Sequence, residues 1–434
     1  MEGLKKEFGR ENRRGRGHPR LFIPAAAIFP LLMFLFLAVF AAAGTIIYYD
    51  LTLPDRFYLA DGEKLCFDNI ISISAFAYEN GEAESVNLSQ DAGRGESRTE
   101  SAQLRLFGLF PIKTIEVCRV GDAAVIPCGS PFGIKMLTKG VMVIDVAGFE
   151  SDGQIVSPAS DAGIRAGDII IAVSGKSIRC NDDIADIMAE GRTVGVRIDR
   201  YGTETVVFLK PALSSEDGRF HAGMWVRDSS AGIGTMTFYD PASGRFAGLG
   251  HPVCDVDTGD ILPLYSGEIA DVVINGIIRS TGGHPGELVG TFISQKASGS
   301  LVLNCNEGLY GKLRDIPQSG ETVPVAMRQD IRTGSAQILS TVSGRTPESY
   351  SVEIERIDLG GTNGHDMIIC VTDKRLIDTA GGIVQGMSGS PVIQDGKLVG
   401  AVTHVFVNDP CRGYAVFADT MYERMRDMYS MDAA

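Results

Sequence analysis

A glycine-rich loop near the C-terminus contains the residues best suited to do chemistry. Residues 386–391 read Gly-Met-Ser-Gly-Ser-Pro and precede Asp395-Gly396, a strong hairpin signal. A nucleophilic serine needs small neighbours, because substrate must approach its hydroxyl while two backbone N–H groups point at the developing oxyanion. We therefore predict that Ser388 is a nucleophile and that the amides of Gly386 and Ser388 form the oxyanion site.

Such a serine needs a base, and the chain has six histidines. His251 follows the small-residue segment 246–250, which we predict to end a strand, and this is a suitable setting for a general base. His404 follows Ser388 by only sixteen residues and is expected on a barrel strand. His251 is therefore the predicted base.

The residue that orients the base is less well defined by the sequence. Asp373 ends the apolar strand 367–372 and lies fifteen residues before Ser388, so we predict it as the orienting carboxylate. An alternative role for Asp373 is to shape the loop or the pocket. Three other aspartates compete with it: Asp240, Asp255 and Asp330.

Residues 126–212 predict a small module of strands around one short helix. The β-branched runs 141–148 and 167–175 are bounded by glycine, as buried strands often are. Asn181 is a predicted N-cap of a helix that Gly191 ends. The apolar residues of that helix fall at i, i+3 and i+4: Ile184, Ile187 and Met188. Tyr201-Gly202 is a predicted hairpin turn.

The phrase SPASDAGIRAGDIIIAVSGKSI, residues 157–178, makes this module resemble a bacterial PDZ domain. The resemblance implies a carboxylate-binding loop at Phe132, Gly133, Ile134 and Lys135. Its backbone N–H groups would receive a peptide terminus, while the following strand pairs with the peptide. Some modules of this kind only pack against their own partner domain.

The N-terminal residues predict a membrane anchor. Residues 1–20 carry seven basic and three acidic side chains, and the uncharged run from Leu21 to Tyr49 is long enough to cross a bilayer. Positive charge before this run places the N-terminus in the cytoplasm and the body outside. A cleaved signal peptide, cut after Ala41-Ala42-Ala43, is the competing interpretation. The rest of the chain has a net charge of −18, which argues against nucleic-acid binding.

The remaining composition indicates a mainly β protein without a cofactor. Residues 50–125 predict a β-rich region with a mobile loop between Glu79 and Ser101. Residues 213–434 contain many short strands and one helix near 420–428, a pattern typical of a β-barrel or a pair of barrels. The eight cysteines include no C-x-x-C pair, and we find neither a phosphate loop nor a cofactor fingerprint. We therefore predict no metal and no cofactor.

Several segments closely resemble the SpoIVB peptidase family, a lineage of serine endopeptidases from endospore-forming bacteria. The Ser388 loop is also similar to the G-x-S-G-G loop of chymotrypsin-like proteases, with Ser390 in place of the last glycine. The segments that carry the SpoIVB resemblance are AGIGTMTFYDP (231–241), LGHPVCDVDTG (249–259), TGGHPGE (281–287), GGIVQGMSGSP (381–391) and GAVTHVFVNDP (400–410). The resemblance implies a chymotrypsin-like double β-barrel with His251, Asp373 and Ser388 as its triad. Pro252, directly after the base, departs from the family pattern.

The family resemblance also implies a biological role. Such a protein is anchored in the forespore membrane and faces the space between two membranes. It cleaves the extracytoplasmic part of a membrane-bound complex that inhibits an intramembrane metalloprotease, and this triggers processing of pro-sigma-K. It also trims itself near its N-terminus. The PDZ ligand would be a partner protein or the chain's own N-terminal region.

Two other functions compete with a membrane-anchored peptidase. The first is a non-catalytic, membrane-anchored PDZ adaptor with a purely structural barrel. The presence of both His251 and Ser388 in their sequence contexts argues against it. The second is an α/β-hydrolase or a Ser-Lys enzyme with Lys397 as base, which the lack of alternating strands and long helices disfavours.

Overall fold

The N-terminal part of the chain is a long apolar helix. The computed structural model describes residues 25–60, 65, 73–79, 82–84, 98–120, 123–293, 296–317, 320–361 and 364–431. It divides into two compact units, Met1–Leu51 and Thr52–Ala434. Helix α1 (Ala25–Thr52) contains the stretch Leu32–Thr52, which is 21 residues long with a mean hydropathy of 2.1. This helix is long and apolar enough to span a membrane. The predicted basic tail, residues 1–20, lies outside the described residues.

A five-stranded sheet begins the second unit. Its strands are β1 (Arg56–Ala60), β2 (Ile73–Glu79), β3 (Glu82–Glu84), β4 (Arg98–Leu106) and β5 (Phe110–Val120), in the spatial order β1-β5-β4-β2-β3. Only the β1–β5 pair among these is parallel. The segment predicted as a mobile loop contains β3 and the start of β4, while residues 85–97 lie outside the described residues.

The PDZ-like region follows two strands, β6 (Ala124–Pro127) and β7 (Pro131–Val146). Its apolar core includes Ile184, Ile187 and Met188 on one face of the predicted helix. Asn181 is the first residue of that helix rather than its N-cap, which is Cys180. The elements are β8 (Phe149–Ser151), β9 (Gln154–Val156), α2 (Pro158–Asp161), β10 (Ile169–Val173), β11 (Lys176–Ser177), α3 (Asn181–Met188), β12 (Val194–Arg200), β13 (Thr203–Leu209), β14 (Ala212–Leu213) and β15 (Phe220–His221).

The next strands complete a first barrel. They are β16 (Met224–Tyr239), β17 (Arg245–Gly248), β18 (Leu264–Ile278), β19 (Glu287–Phe292), β20 (Gly299–Cys305), β21 (Gly308–Leu313) and β22 (Val323–Pro324). Antiparallel pairing in the order β7-β18-β20-β21-β17-β16 returns to β7, so these six strands close a ring. Its interior is filled by large apolar side chains such as Phe132, Phe246 and Leu309.

The long strand β7 corrects two predictions. Residues Phe132 to Lys135 were predicted as a carboxylate-binding loop, but they lie inside β7 and pair with β16 on one side and β18 on the other. Their backbone groups face neighbouring strands on both edges, so they cannot receive a peptide. The predicted module boundary at residue 126 also differs from the structure, because the first half of β7 belongs to the barrel and only its second half to the PDZ-like sheet.

A second closed barrel forms the C-terminal part. A 3₁₀ helix (Arg328–Asp330) precedes its strands and helices: β23 (Gly334–Ser340), β24 (Glu348–Ile357), β25 (Met367–Val371), α4 (Lys374–Ala380), β26 (Pro391–Gln394), β27 (Lys397–Phe406), β28 (Asp409–Phe417) and α5 (Ala418–Met431). The strand order is β23-β24-β25-β28-β27-β26, closed by β23 pairing with β26. The predicted double β-barrel and C-terminal helix are therefore confirmed.

Candidate active site

The loop between α4 and β26 holds Ser388 against both barrels. The N–H of Gly389 donates to the carbonyl oxygen of Val402 in the second barrel (2.7 Å). The carbonyl oxygen of Ser388 accepts from the N–H of Thr235 on β16 in the first barrel (3.0 Å). Gly389 has a φ of +96°, and a Cβ there would lie 2.0 Å from the Thr235 carbonyl oxygen, so the loop can close only with glycine at this position.

A tight turn after β17 positions His251. Leu249 and Gly250 both have positive φ, 66° and 70°, and the backbone of Leu249 is strained because it carries a side chain. A Cβ on Gly250 would press on Thr403 and Val416 of the second barrel at 3.0 Å. This turn therefore brings the segment that bears His251 against the barrel that carries Ser388.

The imidazole of His251 is held in one tautomer. Its Nδ1 lies 2.8 Å from the carbonyl oxygen of Pro252, which can only accept, so Nδ1 carries the proton and Nε2 keeps its lone pair. Burial lowers the pKa of His251 from its ordinary value of 6.5, with the Pro252 hydrogen bond opposing this. The ring is therefore neutral at neutral pH and can accept a proton at Nε2.

Ser388 and His251 each contact a residue near the C-terminal end of β27. The Ser388 hydroxyl donates to the carbonyl oxygen of Thr403 (2.6 Å). The next residue, His404, has its ring centroid 4.6 Å from that of His251 and 5.8 Å from that of His365. Partial burial and the neighbouring His251 and His365 lower the pKa of His404. The structure thus brings the predicted serine and histidine to the same neighbourhood, with the hydroxyl turned toward a carbonyl oxygen.

The predicted oxyanion donors are available. Within the described part of the chain, no acceptor engages the backbone N–H of Gly386 or of Ser388. The neighbouring amides of Met387, Gly389 and Ser390 are all bonded within the fold. Two free N–H groups flanking a serine are what a tetrahedral oxyanion requires.

The predicted orienting carboxylate is elsewhere. Asp373 caps α4: it accepts from the N–H and the guanidinium of Arg375 (2.9 Å each) and from the N–H of Ser351 (3.3 Å). Asp373 lies just after the C-terminal end of β25. His365, whose ring centroid is 5.8 Å from that of His404, lies just before the N-terminal end of the same strand. The triad role predicted for Asp373 is therefore corrected to capping a helix.

Two of the three competing aspartates are occupied by other groups. Asp240 accepts from the backbone of Ala242 and Ser243 in a turn, and Asp255 binds the guanidinium of Arg227. The hydrogen bond described for the His251 side chain goes to Pro252, so a backbone carbonyl orients this base where a carboxylate was expected.

Thr235 is a site residue that sequence reasoning did not single out. Its N–H donates to Ser388 O, its carbonyl oxygen accepts from the N–H of Leu249 (3.3 Å), and its hydroxyl donates to Gly386 O (2.7 Å). One buried residue, through its backbone and its hydroxyl, thus ties the serine loop to the turn that precedes His251. Thr235 lies in AGIGTMTFYDP, one of the segments that carry the SpoIVB resemblance. That resemblance was the only indication in the sequence that Thr235 belongs to the site.

The free strand edge of the PDZ-like region lies on β16. Residues 224–230 pair with β7 on one edge, and no other described strand pairs with them. The N–H of Asn181 donates to Asp228 Oδ2 (2.9 Å), so α3 begins beside this strand. An extended peptide can add to a strand edge of this kind.

The described residues include no candidate metal-binding group. In the described ranges no group of three or more His, Cys, Asp or Glu side chains is arranged to hold a metal ion. The seven cysteines that the structure describes are free thiols.

Two family models match parts of the chain. Residues 218–422 match the SpoIVB peptidase S55 family, and residues 152–200 match the PDZ domain family. No curated protein matches the chain. Among solved structures, the PDZ domain of the SdrC-like protein from Listeria monocytogenes matches at 21% identity with a TM-score of 0.17, over 20% of this chain and 87% of that one. The HtrA-type protease AlgW with a decapeptide matches at 14% identity with a TM-score of 0.28, over 47% of this chain and 55% of that one.

The fold and the family matches define a class of protein. A double β-barrel peptidase domain with a PDZ domain inserted between its strands β7 and β16 defines a PDZ-containing serine peptidase. Within that class the two family matches support a SpoIVB-like, PDZ-containing peptidase.

Proposed function

We propose that this chain is an endopeptidase in which Ser388 is the nucleophile and His251 the general base. The observation that carries the proposal is the bond from His251 Nδ1 to Pro252 O, because it leaves the Nε2 lone pair free. In the reaction the Ser388 hydroxyl rotates away from Thr403 O and gives its proton to Nε2 as Oγ attacks the peptide carbonyl. The imidazolium then returns the proton to the leaving amine.

The free N–H groups of Gly386 and Ser388 stabilise the oxyanion of this proposed mechanism. They are fixed before substrate binds, because the loop is pinned by Thr235 and Val402, so little reorganisation accompanies the reaction. An acyl-enzyme forms on Ser388, and a water that is deprotonated by His251 hydrolyses it.

The proposed biological role is in endospore formation. The substrate is the extracytoplasmic part of a membrane-bound complex that restrains an intramembrane metalloprotease, and its cleavage triggers pro-sigma-K processing. Support comes from the SpoIVB family match and from an apolar helix long enough to anchor the chain in a membrane. The proposed location is the forespore membrane, with the N-terminus in the cytoplasm and the body outside. Self-cleavage near the N-terminus is part of the same proposal.

The PDZ domain is proposed to bind an extended peptide along residues 224–230 of β16. Trp225, 65% exposed, offers apolar surface on this strand. The ligand is a segment of the target complex or of the chain's own N-terminal region. Trp225→Asp should weaken binding of such peptides. Phe208→Asp, on the exposed strand β13, is the matched control and should leave binding unchanged.

Covalent labelling tests the proposed nucleophile. The full-length chain in detergent is treated with a peptidyl phosphonate, and the modified residue is mapped by mass spectrometry. We expect label on Ser388, none in Ser388→Ala, and greatly slowed labelling in His251→Ala. A fully folded protein that takes no label, and cuts neither itself nor peptides, would favour the PDZ adaptor.

A cellular assay tests the substrate. The wild-type chain or Ser388→Ala replaces the corresponding peptidase of a spore-forming bacterium, and pro-sigma-K processing is followed by immunoblot. Processing that depends on Ser388 supports the role, while equal processing with both chains contradicts it.

A further inference from the structure

The segment that follows His251 contacts the PDZ domain. Residues 252–262, here called the His251 loop, connect the proposed base to β18. The loop is closed by hydrogen bonds from Asp255 N to Asp260 O (2.9 Å) and from Leu262 N to Val253 O (3.0 Å). On the barrel side, Asn304 of β20 binds the backbone of Val253 with both polar atoms of its amide, at 2.8 and 2.9 Å.

The buried carboxylate of Asp255 organises this loop. One oxygen accepts from the N–H groups of Asp257 and Thr258 (2.9 and 3.0 Å). The other oxygen binds the guanidinium of Arg227, and the Asp255 side chain is fully shielded from solvent. Arg227 also binds Asp257 Oδ2 at 2.8 Å. A buried carboxylate is tolerated only with such partners, so the loop and Arg227 hold each other in place.

Arg227 belongs to the strand that offers the free PDZ edge. It lies on β16, and its neighbour Asp228 accepts the N–H of Asn181, the first residue of α3. Adjacent residues of one strand therefore hold the His251 loop and the PDZ helix. The proposed reaction at Ser388 by itself requires neither of these two contacts.

We propose that Arg227 and Asp255 are a positioning pair for catalysis, through which the PDZ domain supports the His251 loop. This inference rests on the proposed role of His251 as base. The pair touches neither substrate nor reacting atoms. Arg227 fixes the loop at Asp255 and Asp257, four and six residues after His251, so loss of the pair displaces His251 relative to Ser388.

The test compares single variants of the pair in the full-length chain in detergent. Arg227→Met removes the guanidinium, and Asp255→Asn removes the negative charge with little change of shape. Arg197→Met is the matched control, because it removes an exposed ion pair with Glu204 (3.8 Å) elsewhere in the PDZ domain. The measurements are kcat and KM on a short unfolded peptide, the rate of phosphonate labelling at Ser388, and circular dichroism.

A positioning role predicts a loss in kcat with an unchanged KM. We expect kcat and the labelling rate to fall about 10- to 100-fold in both pair variants, since a displacement of the base of about 1 Å has effects of that size. The double variant should lose no more than either single variant, because one interaction is removed in each case. Arg227→Lys should recover part of the loss.

The outcomes separate the two proposals. Labelling that survives His251→Ala would overturn the proposed base. Labelling that requires His251 but proceeds at the control rate in folded Arg227→Met would overturn only the positioning pair. If Arg227→Met does not fold, the near-isosteric Asp255→Asn is the deciding variant, and a wild-type kcat there overturns the pair.

Discussion

The hydroxyl of Thr235 on β16 donates to the carbonyl oxygen of Gly386 in the serine loop, at 2.7 Å. This bond crosses from the first barrel to the second, with Thr235 buried and Gly386 partly buried. It orients the peptide unit that follows Gly386, and Ser388 lies two residues further along the chain. The spacing of the proposed nucleophile and oxyanion donors therefore depends on a residue of the other barrel.

Thr235→Val should lower both stability and turnover. Valine has the same shape but leaves the partly buried Gly386 O without its donor, a loss of about 1 kcal/mol. Chemical denaturation measures the stability change, and kcat on a short peptide measures the displacement of the serine loop.

Thr237→Val is the matched control for that substitution. Thr237 lies two residues further along β16, is fully buried, and its hydroxyl has no hydrogen-bond partner within the described structure. Removing an unpaired polar group should leave stability unchanged or raise it, with normal kcat. Equal effects of both substitutions would show that the Thr235 hydroxyl has no special part in the site.

Alanine substitution of the two serines of the loop should affect different properties, activity for Ser388 and stability for Ser390. Ser388→Ala should reduce kcat about 10⁶-fold if it removes the nucleophile, with the fold retained. Ser390 is fully buried and donates to Met387 O (2.6 Å). Ser390→Ala should therefore cost about 1–3 kcal/mol of stability while sparing much of the activity. Peptide assays and thermal unfolding of both variants check this, and self-cleavage by purified Ser388→Ala would refute the nucleophile assignment.

Activity should persist below the usual titration range of histidine. The base works as neutral imidazole, so kcat/KM is constant above the pKa of His251 and falls as pH drops through it. Because burial lowers that pKa, the acid limb should be centred below pH 6.5. A pH profile of phosphonate labelling measures it directly, and an acid limb above pH 6.5 would contradict the assignment.

Local patterns in the sequence were sufficient for much of the fold. Positive φ at Tyr201-Gly202 and at Asp395-Gly396 confirms both hairpin turns, and the apolar face of α3 is the one its periodicity predicts. The proposed serine and histidine were found because their neighbours are small, a requirement that is visible in the sequence itself.

Pairing between strands that are distant in the sequence could not be predicted from local patterns. The PDZ resemblance placed residues 132–135 in a loop, but pairing with β16 and β18, about 100 and 135 positions along the chain, makes them barrel core. Thr235 and Arg227 likewise acquire their roles only from partners distant in sequence, Gly386 and Asp255. No local signal identifies such partners.

Ile134→Asp tests this reassignment. Ile134 is only 4% exposed in the first barrel, so the substitution buries an unpaired carboxylate and should unfold the protein. A folded, active variant that had lost only peptide binding would restore Phe132–Lys135 as the PDZ loop. Circular dichroism and peptide titration distinguish these results.

Asp373→Asn decides whether this aspartate belongs to the catalytic machinery. Hydrogen bonds from Arg375 lower the pKa of Asp373 to about 2, so its charge stabilises the fold above pH 3.8 and this contribution is lost as pH falls toward 2. Asparagine keeps the helix-capping acceptor but has no charge. We therefore expect Asp373→Asn to retain activity and to lack this acid dependence of stability, while Asp373→Ala loses about 1 kcal/mol of stability at neutral pH. A triad acid behaves differently, because its replacement by asparagine lowers kcat about 10⁴-fold. A loss of that size in a folded Asp373→Asn protein would return the residue to the active site, and turnover with acid denaturation of the same preparations measures both effects.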